Sequence, residues 1–273
     1  MTTVVQTRRS RRAVATTGAH PGVRATFGAS MTLAGRGLLK IRHNPARLFD
    51  VIALPVVSTA MFAGIFGGAI AGSVSSYLPQ LIPGVLVQIA VTAAVGTGVQ
   101  LCEDIDKGVF DRFRSLPIAR VAPLIGALTA DIVRYVVATV MAVSVGLAMG
   151  YRPHSWPGLL VGCALVVFTS FALSWVFAYL GVRMSSPAAV QGASMFVLMP
   201  MTFISNALVP TTNMPGWIKW LAEINPVSHL VTATRELANH GHAGIDIVWS
   251  TLGVVVIMAV MAPVTVRAFI RKG

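Results

Sequence analysis

Gly158-Leu-Leu-Val-Gly-Cys-Ala-Leu-Val-Val-Phe-Thr-Ser-Phe-Ala-Leu-Ser-Trp-Val-Phe-Ala-Tyr-Leu-Gly-Val182 contains no charged side chain and is followed at once by Arg183. Wound as a helix at 1.5 Å per residue, it is about 38 Å long, more than the roughly 30 Å of a bilayer's hydrocarbon core, so it predicts a membrane-crossing helix. Working outward, five more apolar segments of spanning length can be marked, at 51–72, 80–101, 122–150, 189–209 and 245–267. The segment 122–150 would be about 43 Å long as a helix, so it must tilt or lay its first turns in the interface. The whole chain fits this reading: of 273 residues, 55% are hydrophobic and 11% charged, and the mean hydropathy is +0.75. Soluble domains carry about 25% charge. These figures exclude a water-soluble globule, a disordered chain and a secreted disulfide scaffold. Cys102 and Cys163, the two cysteines, fall near or inside apolar runs and are expected as free thiols.

The formal net charge is +12, and its placement argues against nucleic acid. Nine of the 21 Lys and Arg precede residue 50, as a basic arm ahead of apolar runs. Such an arm suits anionic lipid better than a DNA-binding surface. Arg8-Arg9-Ser10-Arg11-Arg12 has no apolar core behind it, since Ala13 to Gly28 supplies none. It is therefore not expected to be a signal peptide. Counted by side for six spans, seventeen Lys and Arg fall with the two termini, the 102–121 connection and Arg183, and three, Arg152, Lys219 and Arg235, fall opposite. The cytoplasmic side carries the excess. Both termini are therefore expected in the cytoplasm. The expected organisation is a basic tail over 1–30 and a membrane domain over 31–273. Within the latter, Met31, Ala34, Leu38 and Ile41 share one face of an interfacial helix that ends before Pro45.

The long cytoplasmic connection reads Cys102-Glu-Asp-Ile-Asp-Lys-Gly-Val-Phe-Asp-Arg-Phe-Arg-Ser-Leu-Pro117. Glu103, Asp104 and Asp106 suit a helix amino terminus, and Val109, Phe110, Phe113 and Leu116 form an apolar stripe that stops before Pro117. Asp111, Arg112 and Arg114 lie opposite, where a cytosolic partner could meet them. From the pattern alone, a plain interfacial helix serves equally well.

Glu103-x4-Gly108-x8-Pro117, set between the second and third apolar segments, resembles the signature of ABC-2-type transporter permeases. Asn225-Pro226 with Arg235 nine residues beyond the proline resembles their second motif, before the last span. The wording around both, Lys-Gly-Val-Phe-Asp-Arg-Phe-Arg-Ser-Leu-Pro and Met-Pro-Gly-Trp…Asn-Pro-Val-Ser, is most similar to the daunorubicin/doxorubicin-resistance branch. The resemblance covers nearly the whole chain after residue 30. It implies an all-α, six-span permease in the plasma membrane of a bacterium, paired with a second permease copy and two copies of an ABC ATPase. It also implies that a hydrophobic or amphipathic drug is exported, and that Glu103, Gly108, Phe110, Arg112, Phe113, Arg114 and Pro117 form the coupling helix. ATP and Mg would sit on the ATPase, and this chain would bind no cofactor. Consistently, a phosphate-binding loop needs Gly-Lys, and none of the four lysines here follows a glycine.

On the side opposite the termini, Trp217, Ile218, Trp220 and Leu221 form an apolar helical face, with Glu223 behind it. Asn225 is placed to cap a second helix that has Pro226 at its first position. Two short helices broken there read as a re-entrant hairpin. The resemblance makes Trp217, Trp220, Glu223, Asn225, Pro226 and Arg235 an outer lid; a surface hairpin with no gating role is the alternative. Within the spans, Gln88, Thr92, Gly96 and Gln100 recur on one face, as do Gln191, Met195, Met199, Thr202 and Asn206. Polar faces avoid lipid, so they are expected to meet another helix, a second copy or a solvated substrate path. Methionines supply an adaptable surface for varied substrates. Asp131 and Arg134, three residues apart, are expected to pair structurally rather than relay protons. His240 and His242 lack a third ligand for a metal, and Ser194 lacks the setting of a nucleophile. An ion-coupled secondary transporter would show internal repeats and uncompensated charges, and an intramembrane enzyme a clustered acid/base set. Neither pattern is evident. An ABC exporter of lipid or glycolipid remains a further alternative.

Overall fold

The computed structural model describes residues 45–110, 121–207 and 215–272, apart from the side chains of 45–52, 54, 55 and 70. The basic tail and the expected interfacial helix of residues 31–43 lie outside them. The described residues hold eight helices of nine residues or more and no strand: α1 Pro45–Ala71, α2 Val74–Asp106, α3 Ala122–Ala148, α4 Trp156–Arg183, α5 Pro187–Phe203, α6 Gly216–Ile224, α7 Pro226–His240 and α8 Ile245–Lys272. Among these, α2, α3, α4 and α8 are long and apolar enough to cross a membrane, while α1 contains the shorter apolar stretch Val56–Ala69. The described residues thus form an all-helical, multi-pass membrane protein.

Short polar residues start these helices. Ser73, Ser155 and Ser186 are the N-caps of α2, α4 and α5, their hydroxyls accepting from Ser76, Gly158 and Ala189 N–H at 3.2, 3.1 and 3.2 Å. Each satisfies a backbone donor that the first turn leaves without a partner. Gly72, at φ +73°, makes the sharp break between α1 and α2.

Helix α2 is the centre of the fold and packs on α1, α3, α4, α5 and α7. It crosses α4 with almost no side chain between the backbones: a Cβ on Gly98 would run into the carbonyl oxygen of Phe177, and one on Gly181 into that of Gly98. Small residues let membrane helices approach closely where lipid gives no hydrophobic drive. One core cluster, with Val87, Val91, Val166, Phe177 and Leu230, joins α2, α4 and α7. A second gathers Tyr77, Leu81, Ala138 and Tyr151, and a third gathers Leu101, Leu124, Leu128 and Trp175. Pro79 and Pro83 interrupt α2. A proline supplies no N–H, so Pro83 leaves the carbonyl of Pro79 free. Asn239 Nδ2, on α7, donates to it at 2.8 Å.

Two expectations need correction. Helix α2 does not stop where its apolar run stops but continues to Asp106, because Cys102 to Asp106 carry on the helix and Gly108, at φ +64°, is what ends it. Glu103, Asp104 and Asp106 therefore close a helix rather than open one. Acidic groups at a carboxyl terminus oppose the helix dipole, and the Lys107–Glu103 ion pair at 3.3 Å offsets part of that cost. Second, α5 ends at Phe203, and a turn follows with the Ser205 hydroxyl donating to Thr202 O at 2.7 Å. Asn206 therefore lies off the helix and does not extend the stripe of Gln191, Met195, Met199 and Thr202.

Candidate functional site

The flank of α2 carrying Gln88, Thr92, Gly96 and Gln100 is half-open along a helix otherwise largely buried. Thr92 Oγ1 turns back to donate to Gln88 O at 2.8 Å, which partly masks its polarity. Arg134 reaches across from α3 onto this flank. Its Nη2 donates to Ala93 O at 2.6 Å and to Thr97 Oγ1 at 3.2 Å, and its Nη1 lies 3.5 Å from Asp131 Oδ1. Gly96 makes room for it, since a Cβ there would stand 3.2 Å from Nη2. The hydroxyls of Thr97 and Tyr135 are 2.5 Å apart, and the guanidinium carbon sits 5.7 Å from the centre of the Tyr135 ring. The expected Asp131–Arg134 pairing is present, yet the shorter contacts of Arg134 are with α2. Sequence spacing shows a pair three apart and gives no sign that one member leans on another helix.

Helix α5 packs through Val190, Ser194 and Leu198, all buried. The predicted stripe is the adjoining flank, on which Gln191 and Met199 are exposed and Met195 and Thr202 are half-buried. Phe196, 84% exposed, and Phe203 lie there too. Packing among the described residues therefore does not account for this flank.

At the end of the bundle near Pro79, α7 presents Thr232, Arg235 and Asn239 on one face. Thr232 Oγ1 accepts from Asn206 Nδ2 at 2.8 Å, while Arg235 Nη2 donates to Asn206 O at 3.0 Å and to Gln80 O at 3.3 Å. Tyr151 donates to Asn239 Oδ1 at 2.7 Å. This clamp holds the ends of α2 and α5 together and absorbs Asn206, which the sequence pattern assigned to a substrate path. Gln80, Tyr151 and Asn239 carry no motif that marks them in the sequence; the prolines that free carbonyls nearby were the available signal. Asn225 caps α7 as expected, accepting from Val227 N–H at 2.9 Å, and its Nδ2 donates to Met201 O at 2.7 Å. Pro226 follows at the first turn. On α6, Trp217 and Trp220 are exposed, and Glu223 is 4.0 Å from Lys219.

At the opposite, basic end, where Arg183, Arg271 and Lys272 gather, Gly108 separates α2 from a new helical start at Val109 and Phe110. The Phe110 ring meets Phe269 of α8 edge-on, with centroids 5.2 Å apart. Arg112, Phe113, Arg114 and Pro117 lie outside the described residues. Among the described residues, no three of His, Cys, Asp and Glu converge as metal ligands.

Residues 29–238 match the family described as ABC-2 type transporter. The chain belongs to that family. It is 42% identical over 263 residues to the daunorubicin resistance ABC transporter permease protein DrrB1 of Streptomyces coeruleorubidus, covering 96% of this chain and 93% of that protein. It is 25% identical over 154 residues, 55% of each chain, to the probable doxorubicin resistance ABC transporter permease protein DrrC of Mycobacterium tuberculosis (strain CDC 1551 / Oshkosh). A third relative, the probable multidrug ABC transporter permease YbhR of Escherichia coli (strain K12), is 28% identical over 182 residues, covering 64% of this chain and 48% of that protein. As a member of this family the chain is a transport permease rather than an enzyme.

Proposed function

We infer that this chain is the membrane permease subunit of an ATP-driven exporter that moves a hydrophobic or amphipathic drug out of the cytoplasm. The observation that carries this reading is the 42% identity, over almost the full length of both chains, to a daunorubicin resistance permease. In this reading α1 and α5 cross the membrane with α2, α3, α4 and α8, giving six spans. Both termini and the basic end face the cytoplasm of a bacterial cell, as the seventeen-to-three division of Lys and Arg favours. Two copies pair, and two ATPase subunits hold the ATP and Mg.

The half-open flank of α2, with Gln88, Thr92 and Gln100, and the exposed flank of α5, with Gln191, Met195, Met199 and Thr202, line the substrate path between the two copies. The partial exposure of Gln88 and Thr92 and the exposure of Gln191 and Met199 among the described residues support this assignment. ATPase closure pushes on the element that Gly108 sets off from α2, through Phe110, Arg112, Phe113, Arg114 and Pro117, with Glu103 at its base. The far end forms the lid: Arg235 and Asn225 hold its backbone ends, and Trp217, Trp220, Glu223 and Pro226 form its surface. The cycle then alternates between two arrangements, and substrate biases it only through unequal affinity for them.

The test is efflux from cells expressing the chain with and without its ATPase, with the proton gradient intact or collapsed. Efflux should require the ATPase and survive loss of the gradient. Efflux without the ATPase that disappears with the gradient would instead establish a secondary transporter.

A further inference from the structure

Helix α7 is fastened to its neighbours at several points, and one of them differs in kind. Asn225 holds the backbone of α5, Thr232 and Arg235 hold Asn206 and Gln80, and Asn239 holds Pro79 O and Tyr151. None of these groups ordinarily changes charge between about pH 5 and 8. Toward α8, on which α7 also packs, the described residues give it a single polar side-chain contact: His229 Nδ1 donates to Asp246 Oδ1 at 2.6 Å. Histidine is the side chain that ordinarily gains its charge in that range. Asp246 is the second residue of α8 and His229 the fourth of α7. The positive end of a helix suits a carboxylate and opposes an imidazolium, so a charged His229 draws its support from Asp246 and not from its own helix. The side chains are 30% and 21% exposed, open to protons from water yet partly sheltered.

Few other titratable groups stand on the elements packed against this seam. Helix α8 has none between Asp246 and Arg267, and near this end α4 offers Cys163 and α2 offers Tyr77. On α6, Lys219 and Glu223 lie 4.0 Å apart. Along α7 the next acid is Glu236, whose Oε2 is buried against Gly244. These too ordinarily titrate outside the range in question. Three further histidines at this end, His154, His240 and His242, are exposed.

We propose that His229 and Asp246 form a proton-sensitive latch between the outer hairpin and α8, tighter in an acid medium than in a neutral or alkaline one. Its effect on transport rests on the reading of α6 and α7 as a lid. The sign follows from charge. With the imidazole neutral, the pair is a hydrogen bond to a carboxylate; once the imidazole gains a proton, the donor is a cation, and the contact becomes an ion pair as well. Carboxylates ordinarily stay ionised down to about pH 5, so acid strengthens the latch over the whole range in which histidine titrates. Loss of the proton loosens α8 from a hairpin that α2 and α5 still grip, because those other ties do not respond. The joint is the connection 241–244, entered at Gly241 with φ +68°.

The test is pulsed electron-spin distance measurement on the full chain in phosphatidylcholine nanodiscs. Nitroxides are placed through Ile224→Cys and Val248→Cys, both exposed positions, with Cys102 and Cys163 replaced by alanine. From about pH 5.5 to 8 the population at longer distance should grow about threefold, the share expected of a half-exposed ion pair. His229→Gln, which keeps a neutral donor, should give the alkaline distribution at both pH values. Changing His154, His240 and His242 together to glutamine should leave the response intact. Distances that do not change with pH in the otherwise unaltered labelled chain would overturn the proposal without any further variant. So would a response that survives His229→Gln. The distances are read without ATPase or drug, so the latch and the exporter reading fail separately. A pH response at the labels, alongside efflux by the complex that is indifferent to His229→Gln in acid, would keep the latch and overturn the lid.

Discussion

The crossing of α2 and α4 gives a sharp test of how the bundle is held together. A methyl group at Gly98 would occupy the space of the Phe177 carbonyl, and one at Gly181 that of the Gly98 carbonyl, so in both cases the obstacle is backbone that no rotamer change can clear. Relief requires the helices to separate, loosening the contacts of Val95, Leu101, Phe177 and Ala178 around the crossing. Overpacking of this kind costs about 1–3 kcal/mol per site. Replacing glycine by alanine in a helix otherwise gains about 1 kcal/mol. Gly253 in α8 has open space, with no atom within 4 Å, where a methyl group would stand, so Gly253→Ala should be neutral or stabilising by about that amount. Gly98→Ala and Gly181→Ala should each destabilise, and the double variant should cost less than the sum, because the first methyl has already opened the space the second needs. The measurement is denaturant titration of the purified chain in mixed micelles, followed by tryptophan fluorescence. Costs that add, or a Gly98→Ala chain as stable as Gly253→Ala, would refute this account of the crossing.

Three further outcomes are expected. Gly108→Val should weaken association with the ATPase in pull-down while insertion stays normal, because a β-branched residue in the left-handed region costs about 1–2 kcal/mol; Gly108→Asn, which tolerates that region, should be close to wild type. Asn225→Ala should destabilise by about 1 kcal/mol through loss of the α7 cap, with Asn225→Asp, which keeps the acceptor but loses the donor to Met201, falling between the two in thermal unfolding. Reporter fusions at residue 152 and after Lys272 should report opposite sides of the membrane; the same side for both would refute the proposed topology.

The helices that sequence reads best are those whose ends carry chemical signals. The run 158–182 becomes α4 Trp156–Arg183, bounded by the Ser155 cap and a basic last turn, and Asn225-Pro226 starts α7 as its cap chemistry requires. Where hydropathy alone sets a boundary, it marks the edge of the apolar run rather than the end of hydrogen bonding. Hence α2 outruns its apolar segment as far as the glycine, and α5 falls short of its own. Periodicity places Gln191, Met195, Met199 and Thr202 on one flank but cannot detect that the helix has ended before Asn206. The reach of Arg134 to Ala93, 41 positions away in the chain, depends on how α2 and α3 are docked, which no local pattern encodes.

The two prolines of α2 have a mechanical consequence. Pro79 and Pro83 sit four residues apart near one end of a 33-residue helix, and sharp bends concentrate where the hydrogen-bond ladder is interrupted. The remainder, from Gly84 to Asp106, contains no proline and is pinned to α4 at Gly98. In the proposed cycle it is expected to move as a rod, with any bend falling at the prolines. Labels at residues 88 and 100 should keep their separation of about 18 Å through every step of transport, while the distance from either to residue 77 varies.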